Sequence, residues 1–80
     1  MAYRVIYETK ADKIRRGLPI GARLALAARM RQIANDPYKH SRPYSGSTTR
    51  SATFSARGIV VFRVQQEVIL VTVVDATWSG

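Results

Sequence analysis

Two runs rich in β-branched residues, Gly58 to Val64 and Val68 to Asp75, are separated only by Gln65-Gln66-Glu67. A parallel crossover needs about a dozen residues or more, so these runs must pair antiparallel through a tight hairpin. Period-two alternation then places Arg57, Ile59, Val61 and Arg63 on one face, and Val60, Phe62 and Val64 on the other. The second set needs a cover. That cover must come from earlier in the chain.

The earlier residues supply one strand and two helices. Tyr3 to Glu8 alternates, with Tyr3, Val5 and Tyr7 on one face and Arg4, Ile6 and Glu8 on the other. Thr9 stands three residues before Asp12, close to a capping box, and predicts a short helix through Arg16. Gly17 is expected to end it in a left-handed conformation, and Pro19 to occupy the first turn of a second helix. That helix runs from about Ile20 to Asn35. Ala22, Leu26, Met30 and Ile33 form its apolar stripe, Ile20, Leu24 and Ala27 widen it, and Arg29 and Gln32 fall opposite. Asn35-Asp36-Pro37 stops it. Residues 37–49, with two prolines and many hydroxyls, read as a loop, and Ser51 to Ser55 as a short strand.

This order, β-α-α-β-β-β, predicts one two-layer α+β domain over residues 1–80. Its antiparallel-rich sheet carries a helical hairpin on one face. The other face stays uncovered, which antiparallel sheets tolerate.

Charge indicates what the open face meets. Thirteen Lys and Arg against five Asp and Glu give +8, while 46% of residues are hydrophobic, too many for a disordered chain. A folded domain with this excess carries it at the surface, where it attracts polyanions. Ten of the thirteen cations are arginine, whose planar fork suits phosphate and stacks on bases. Neither a signal-length apolar stretch near the N-terminus nor a run of membrane-spanning length is present, and cysteine is absent. These features fit a cytoplasmic location. Glu8, Asp12, Asp36, Glu67 and Asp75 show no metal-ligand spacing, a single histidine cannot make a zinc cluster, and no glycine-rich phosphate loop occurs. Neither a metal nor a cofactor is expected.

The run Tyr3-Arg4-Val5-Ile6-Tyr7, the helix exit Ile33-Ala34-Asn35-Asp36-Pro37 and the stretch Gly46 to Arg50 precede two closing strands. Those strands are Gly58-Ile59-Val60-Val61-Phe62-Arg63-Val64 and Glu67-Val68-Ile69-Leu70-Val71. Together they resemble the RelE/ParE superfamily of bacterial toxins over nearly the whole chain. The resemblance implies the toxin of a type II toxin–antitoxin module with an acidic antitoxin partner. Members resembling RelE cleave messenger RNA on the ribosome without metal, the ribose 2′-hydroxyl attacking the adjacent phosphate while basic side chains stabilise the charge. Members resembling ParE inhibit DNA gyrase. A non-catalytic RNA-binding module is a third reading. This chain departs from the nuclease pattern: Ile59 stands where Tyr-Arg-x-x-Tyr would place its arginine, and Ala76-Thr77-Trp78 follows the last strand.

Substitutes for that arginine define the candidate site. Arg57 and Arg63 are expected on the open face, with Arg50 joining them from the preceding strand, as a guanidinium cluster for phosphate. His40 is the one side chain with an ordinary pKa near neutrality and is the candidate proton carrier. Lys39, Arg42, Tyr44 and Trp78 are candidate RNA contacts, the aromatics by stacking on bases. Each also has a structural reading: solvated charge, an inert loop imidazole, or packing of Trp78, Tyr38 and Tyr44.

Overall fold

Strand β1 (Arg4–Tyr7) leads into helix α1 (Thr9–Gly17) and helix α2 (Ile20–Asn35). Four strands follow: β2 (Arg42–Ser45), β3 (Thr49–Phe54), β4 (Gly58–Gln65) and β5 (Leu70–Trp78). The computed structural model describes residues 2–46 and 48–79; Met1, Ser47 (inside the expected loop) and Gly80 lie outside the described residues. The sheet order is β1-β5-β4-β3-β2, with β1 parallel to β5 and every other pair antiparallel. The architecture is therefore the expected two-layer α+β, with one more strand than the residue pattern showed.

That extra strand replaces part of the expected loop. All four residues of β2 are exposed, so no alternation marks them. Backbone pairing to β3 (Arg42 opposite Ser51, Pro43 opposite Arg50) makes the strand. Pro43 is tolerated because β2 is an edge. Gly46, at φ 67°, provides a left-handed residue directly after β2.

The helices cover the face that carries Val60, Phe62 and Val64. Leu26, Met30 and Ile33 of α2 pack there with Phe54, Phe62, Val71 and Val73, all buried. Burial of each large side chain contributes about 1.5–3 kcal/mol. α1 packs on β5 and β1, and α2 on β3 and β1. Tyr3 N–H donates to the Ala34 carbonyl at 2.6 Å, tying the chain before β1 to the end of α2. Arg29, expected to face solvent, instead donates from Nε to the Thr53 carbonyl at 2.7 Å and locks α2 onto β3.

Several local expectations are corrected. Glu8, not Thr9, is the N-cap of α1, and no side chain caps that helix. Asp12 is engaged by Arg15 and by Arg16, the latter at 2.9 Å. Leu18 in an extended conformation ends α1, without a left-handed Gly17. Pro19 is the N-cap of α2 rather than a first-turn residue. Ile20 and Leu24 do not widen the buried stripe; they remain 67% and 63% exposed because no described element lies over that side of α2. The β4–β5 connection is longer than a tight hairpin: Gln66–Val68 forms a 3₁₀ turn and Ile69 adopts φ 53°.

Candidate nucleic-acid interface

On the open face, sheet register sets residues from different strands abreast. Thr53, Ile59 and Thr77 form one row across β3, β4 and β5. Arg42, Ser51, Val61 and Asp75 form the next row, reaching from β2 to β5. The register slips between Val61 and Phe62, leaving Val74 as a bulge that turns Asp75 onto this face. A third row holds Thr49, Arg63, Thr72 and Ile6.

Ile59 is the centre of the surface. It is 48% exposed, and three shallow depressions meet at it. One, of about 370 Å³, lies between Thr53, Arg57, Ile59, Thr77 and Trp78 at the end of the sheet. A second runs from Arg42 and Tyr44 across Ser51 and Thr53 to Ile59. The third passes between Tyr44, Val61, Asp75 and Thr77. A fourth depression brings His40 beside Arg42, Ser51 and Thr53. Arg42 and Arg57 thus flank the Thr53–Ile59 strip from two sides, with Tyr44 (62% exposed) standing over it.

The cluster of Arg50, Arg57 and Arg63 does not form. Arg50 lies opposite Phe62, a core residue, so its side chain leaves the sheet on the helix side. There its Nε donates to Ser41 Oγ at 2.6 Å and its Nη2 to the Ser41 carbonyl at 3.1 Å, with the guanidinium 5.0 Å from the Tyr38 ring centre. Arg63 does point to the open face, but it pairs with Glu8 at 3.0 Å. Six residues of extended strand put it about 20 Å from Arg57. Arg57 lies in the turn before β4, its carbonyl accepting the Ser79 N–H at 3.1 Å. Among the described residues, no hydrogen bond or ion pair engages the guanidinium of Arg57 or Arg42.

The remaining candidates divide. Lys39 is exposed, its backbone N–H donating to Asp36 Oδ1 at 3.3 Å. Trp78 packs partly against the core and also lines the sheet-end depression. Asp75 is the acidic member of the surface, and Lys10 lies 3.4 Å from it across the sheet edge. That pairing tempers the repulsion an incoming phosphate would meet. Among the described residues, no group of three or more His, Cys, Asp or Glu is placed to hold a metal ion. No described helix is long and apolar enough to cross a membrane.

The helix side carries the two shifted ionisations. Burial raises the Tyr7 hydroxyl above its ordinary value, opposed by Arg15, whose guanidinium sits 4.7 Å from the ring centre. The hydrogen bond from Arg15 holds the Asp12 carboxyl below the usual carboxylate range. Both groups lie away from the open face and serve the packing of α1.

Fold and surface together define a small basic α+β protein with a polar, aromatic and cationic surface on the uncovered side of a mixed sheet. Among solved structures this is the RelE fold. A chain of the toxin–antitoxin complex RelBE2 from Mycobacterium tuberculosis superimposes with a TM-score of 0.87 at 18% identity, over 99% of this chain and 100% of that one. A chain of the intact E. coli RelBE toxin–antitoxin complex gives 0.86 at 20% identity, over 99% of each. The archaeal RelE–RelB complex from Pyrococcus horikoshii gives 0.74 at 14% identity, over 100% of this chain and 98% of that one. No protein-family model and no curated protein matches the chain.

Proposed function

We propose that this chain is the toxin of a type II toxin–antitoxin module and cleaves messenger RNA on the ribosome. The supporting observation is the convergence of Arg42, Arg57, His40 and Tyr44 on the Thr53–Ile59 strip, on a fold shared end to end with RelE. In the reaction, a ribose 2′-oxygen attacks the adjacent phosphorus. The bond from phosphorus to the 5′-oxygen of the next nucleotide breaks, leaving a 2′,3′-cyclic phosphate and a 5′-hydroxyl. His40 takes the proton of the attacking hydroxyl, and the departing 5′-oxygen takes a proton from water. Arg42 and Arg57 stabilise the negative charge gathering on the phosphoryl oxygens, and no metal takes part. Tyr44 and Trp78 stack on the flanking bases.

Induction of the protein in cells, with transcript ends mapped across translated regions, tests this reading. New 5′ ends are expected within open reading frames, and Arg57→Ala is expected to lower cleavage about 10²-fold. Growth arrest with intact messages would overturn it. One observation favours a second reading, inhibition of gyrase by binding alone: Ile59 and Val61 make the middle of the face apolar, as protein contacts require. A supercoiling assay with purified protein separates the two.

The module also requires a partner. Beside the exposed Ile20 and Leu24, a groove between β1 and α2 is lined by Val5, Tyr7, Ala27, Met30, Arg31 and Ala34. It fits the apolar side of an acidic antitoxin segment, whose carboxylates meet Arg23 and Arg31 at its rim.

A further inference from the structure

Residues 37–41 join α2 to β2, and they carry His40 to the rim of the open face just before Arg42. In this stretch only Pro37 is buried among the core. The connection is held by polar contacts instead. Asp36 Oδ1 accepts the N–H groups of Tyr38 at 3.1 Å and Lys39 at 3.3 Å, fixing the first half of the turn. Ser41 Oγ donates to the Pro37 carbonyl, closing the turn on itself. Arg50 grips what remains: its fork reaches both the hydroxyl and the carbonyl of Ser41, and its plane lies against Tyr38.

We propose that Arg50 is a positioning residue that acts through the sheet: from the helix side it clamps the 38–41 turn and so sets His40 and Arg42 on the opposite, RNA-facing side. The clamp needs an arginine. Lysine keeps the charge but offers a point donor on a flexible stem, without the Nε and Nη2 pair that takes two acceptors at once or the plane that stacks on a ring. Arg50 therefore differs from Arg42 and Arg57, whose unengaged guanidinium groups are free for phosphate.

The functional half of this inference rests on the open face being the RNA surface; the structural half does not. The test uses the full chain, with Arg50→Lys, Arg50→Gln and Ser41→Ala. Amide hydrogen exchange is followed in the free protein, with α2 amides as the control for folding. Exchange at residues 38–42 is expected to quicken about ten-fold or more in both Arg50 variants, lysine giving no rescue, while α2 is unchanged. Ser41→Ala, which removes one of the two acceptors and also the bond to the Pro37 carbonyl, is expected to quicken exchange at residues 38–42 as well, with α2 unchanged. On programmed ribosomes, kcat of Arg50→Lys is expected to fall about 10–100-fold with KM unchanged. The salt dependence of binding to a single-stranded RNA oligomer should keep its wild-type slope, whereas loss of one phosphate contact lowers that slope by about 0.7. Unaltered exchange in Arg50→Lys would overturn the clamp, and a reduced salt slope would make Arg50 a phosphate ligand instead. If the wild-type protein binds no RNA, the open-face reading fails and the exchange data still decide the clamp.

Discussion

Arg50 and Arg57 carry the same side chain, and the backbone sends them to different surroundings: strand parity for Arg50, the turn before β4 for Arg57. Two steps along a strand return to the same face, so Arg50 shares its side of β3 with Ala52 and Phe54, both buried. That parity was readable once Phe54 is taken as core. It was obscured because Thr49, Ser51 and Thr53 make the strand look polar on every side. At the far end of the same hairpin, Ser55 holds φ 54°, a conformation that costs a non-glycine residue about 1–2 kcal/mol. The hydroxyl accepts only a long 3.4 Å bond from the Arg57 N–H. Ser55→Gly is therefore expected to stabilise the protein by about 0.5–1 kcal/mol, raising Tm by about 2–8 °C in a thermal melt. Asp12 makes the pH-dependent contribution on the helix side. Its hydrogen bond to Arg15 lowers the folded-state pKa, so the stability it supplies is present above the free carboxylate range. That stability is lost as pH falls through the lowered value, below about pH 4. Asp12→Asn should be less stable than wild type at neutral pH and lose less on acidification, so their urea midpoints converge near pH 2. Parallel curves would remove Asp12 from this role.

Elements that bury one face were legible, and those that bury neither were not. α2 was legible because Ala22, Leu26, Met30 and Ile33 recur at helical spacing and all reach the core. β4 was legible for the matching reason at period two, alternating buried and open from Gly58 to Gln65. β2 had no such mark, since an exposed edge strand is defined by its hydrogen bonds alone. Ile20 and Leu24 misled in the opposite direction: they continue an apolar stripe that the described residues do not cover. The uncovered sheet face was legible as such, and the arginine cluster expected on it was not, since Arg50 leaves β3 on the helix side. His40, Arg42 and Tyr44 come beside Thr53 through the β2–β3 pairing, and Arg57 borders the same strip from the turn before β4; no local pattern encodes either placement. Space, too, was invisible in the residues. A Cβ on Gly58 would lie 2.5 Å from the Phe54 carbonyl oxygen and 2.6 Å from its ring, so this position needs glycine for room rather than for φ. Gly58→Ala is expected to destabilise by about 1–3 kcal/mol in urea unfolding, as the β3–β4 hairpin opens around it. Gly21→Ala, exposed on α2 with nothing within 4 Å, is the control and should gain about 0.5 kcal/mol.

At the scale of the whole molecule, net charge and exposed apolar area point to two different faces. The +8 excess opposes self-association, so the Ile20–Leu24 ridge with its neighbouring groove is better matched to a negatively charged partner than to a second copy. The proposed RNA surface lies on the other side of the sheet, where, among the described residues, Arg42 and Arg57 are unengaged and Ile59 sits between the depressions they line. A partner seated on the ridge therefore need not compete with RNA by overlap unless its acidic segment also wraps the sheet edge. This separation gives a direct test through Leu24. Replacing it with Asp removes apolar area worth about 1.5–3 kcal/mol and sets a carboxylate against the partner's own, so association should weaken at least about ten-fold. In cells carrying the antitoxin gene, Leu24→Asp is expected to restore growth arrest and to lose the partner on copurification. Expressed alone, it should arrest growth as strongly as wild type, because nothing on the open face has changed. Arg57→Glu should show the reverse, retaining the partner while losing toxicity. If Leu24→Asp were as well neutralised as the parent protein, the antitoxin would have to bind over the sheet, and inhibition would be by direct occlusion of Arg42 and Arg57.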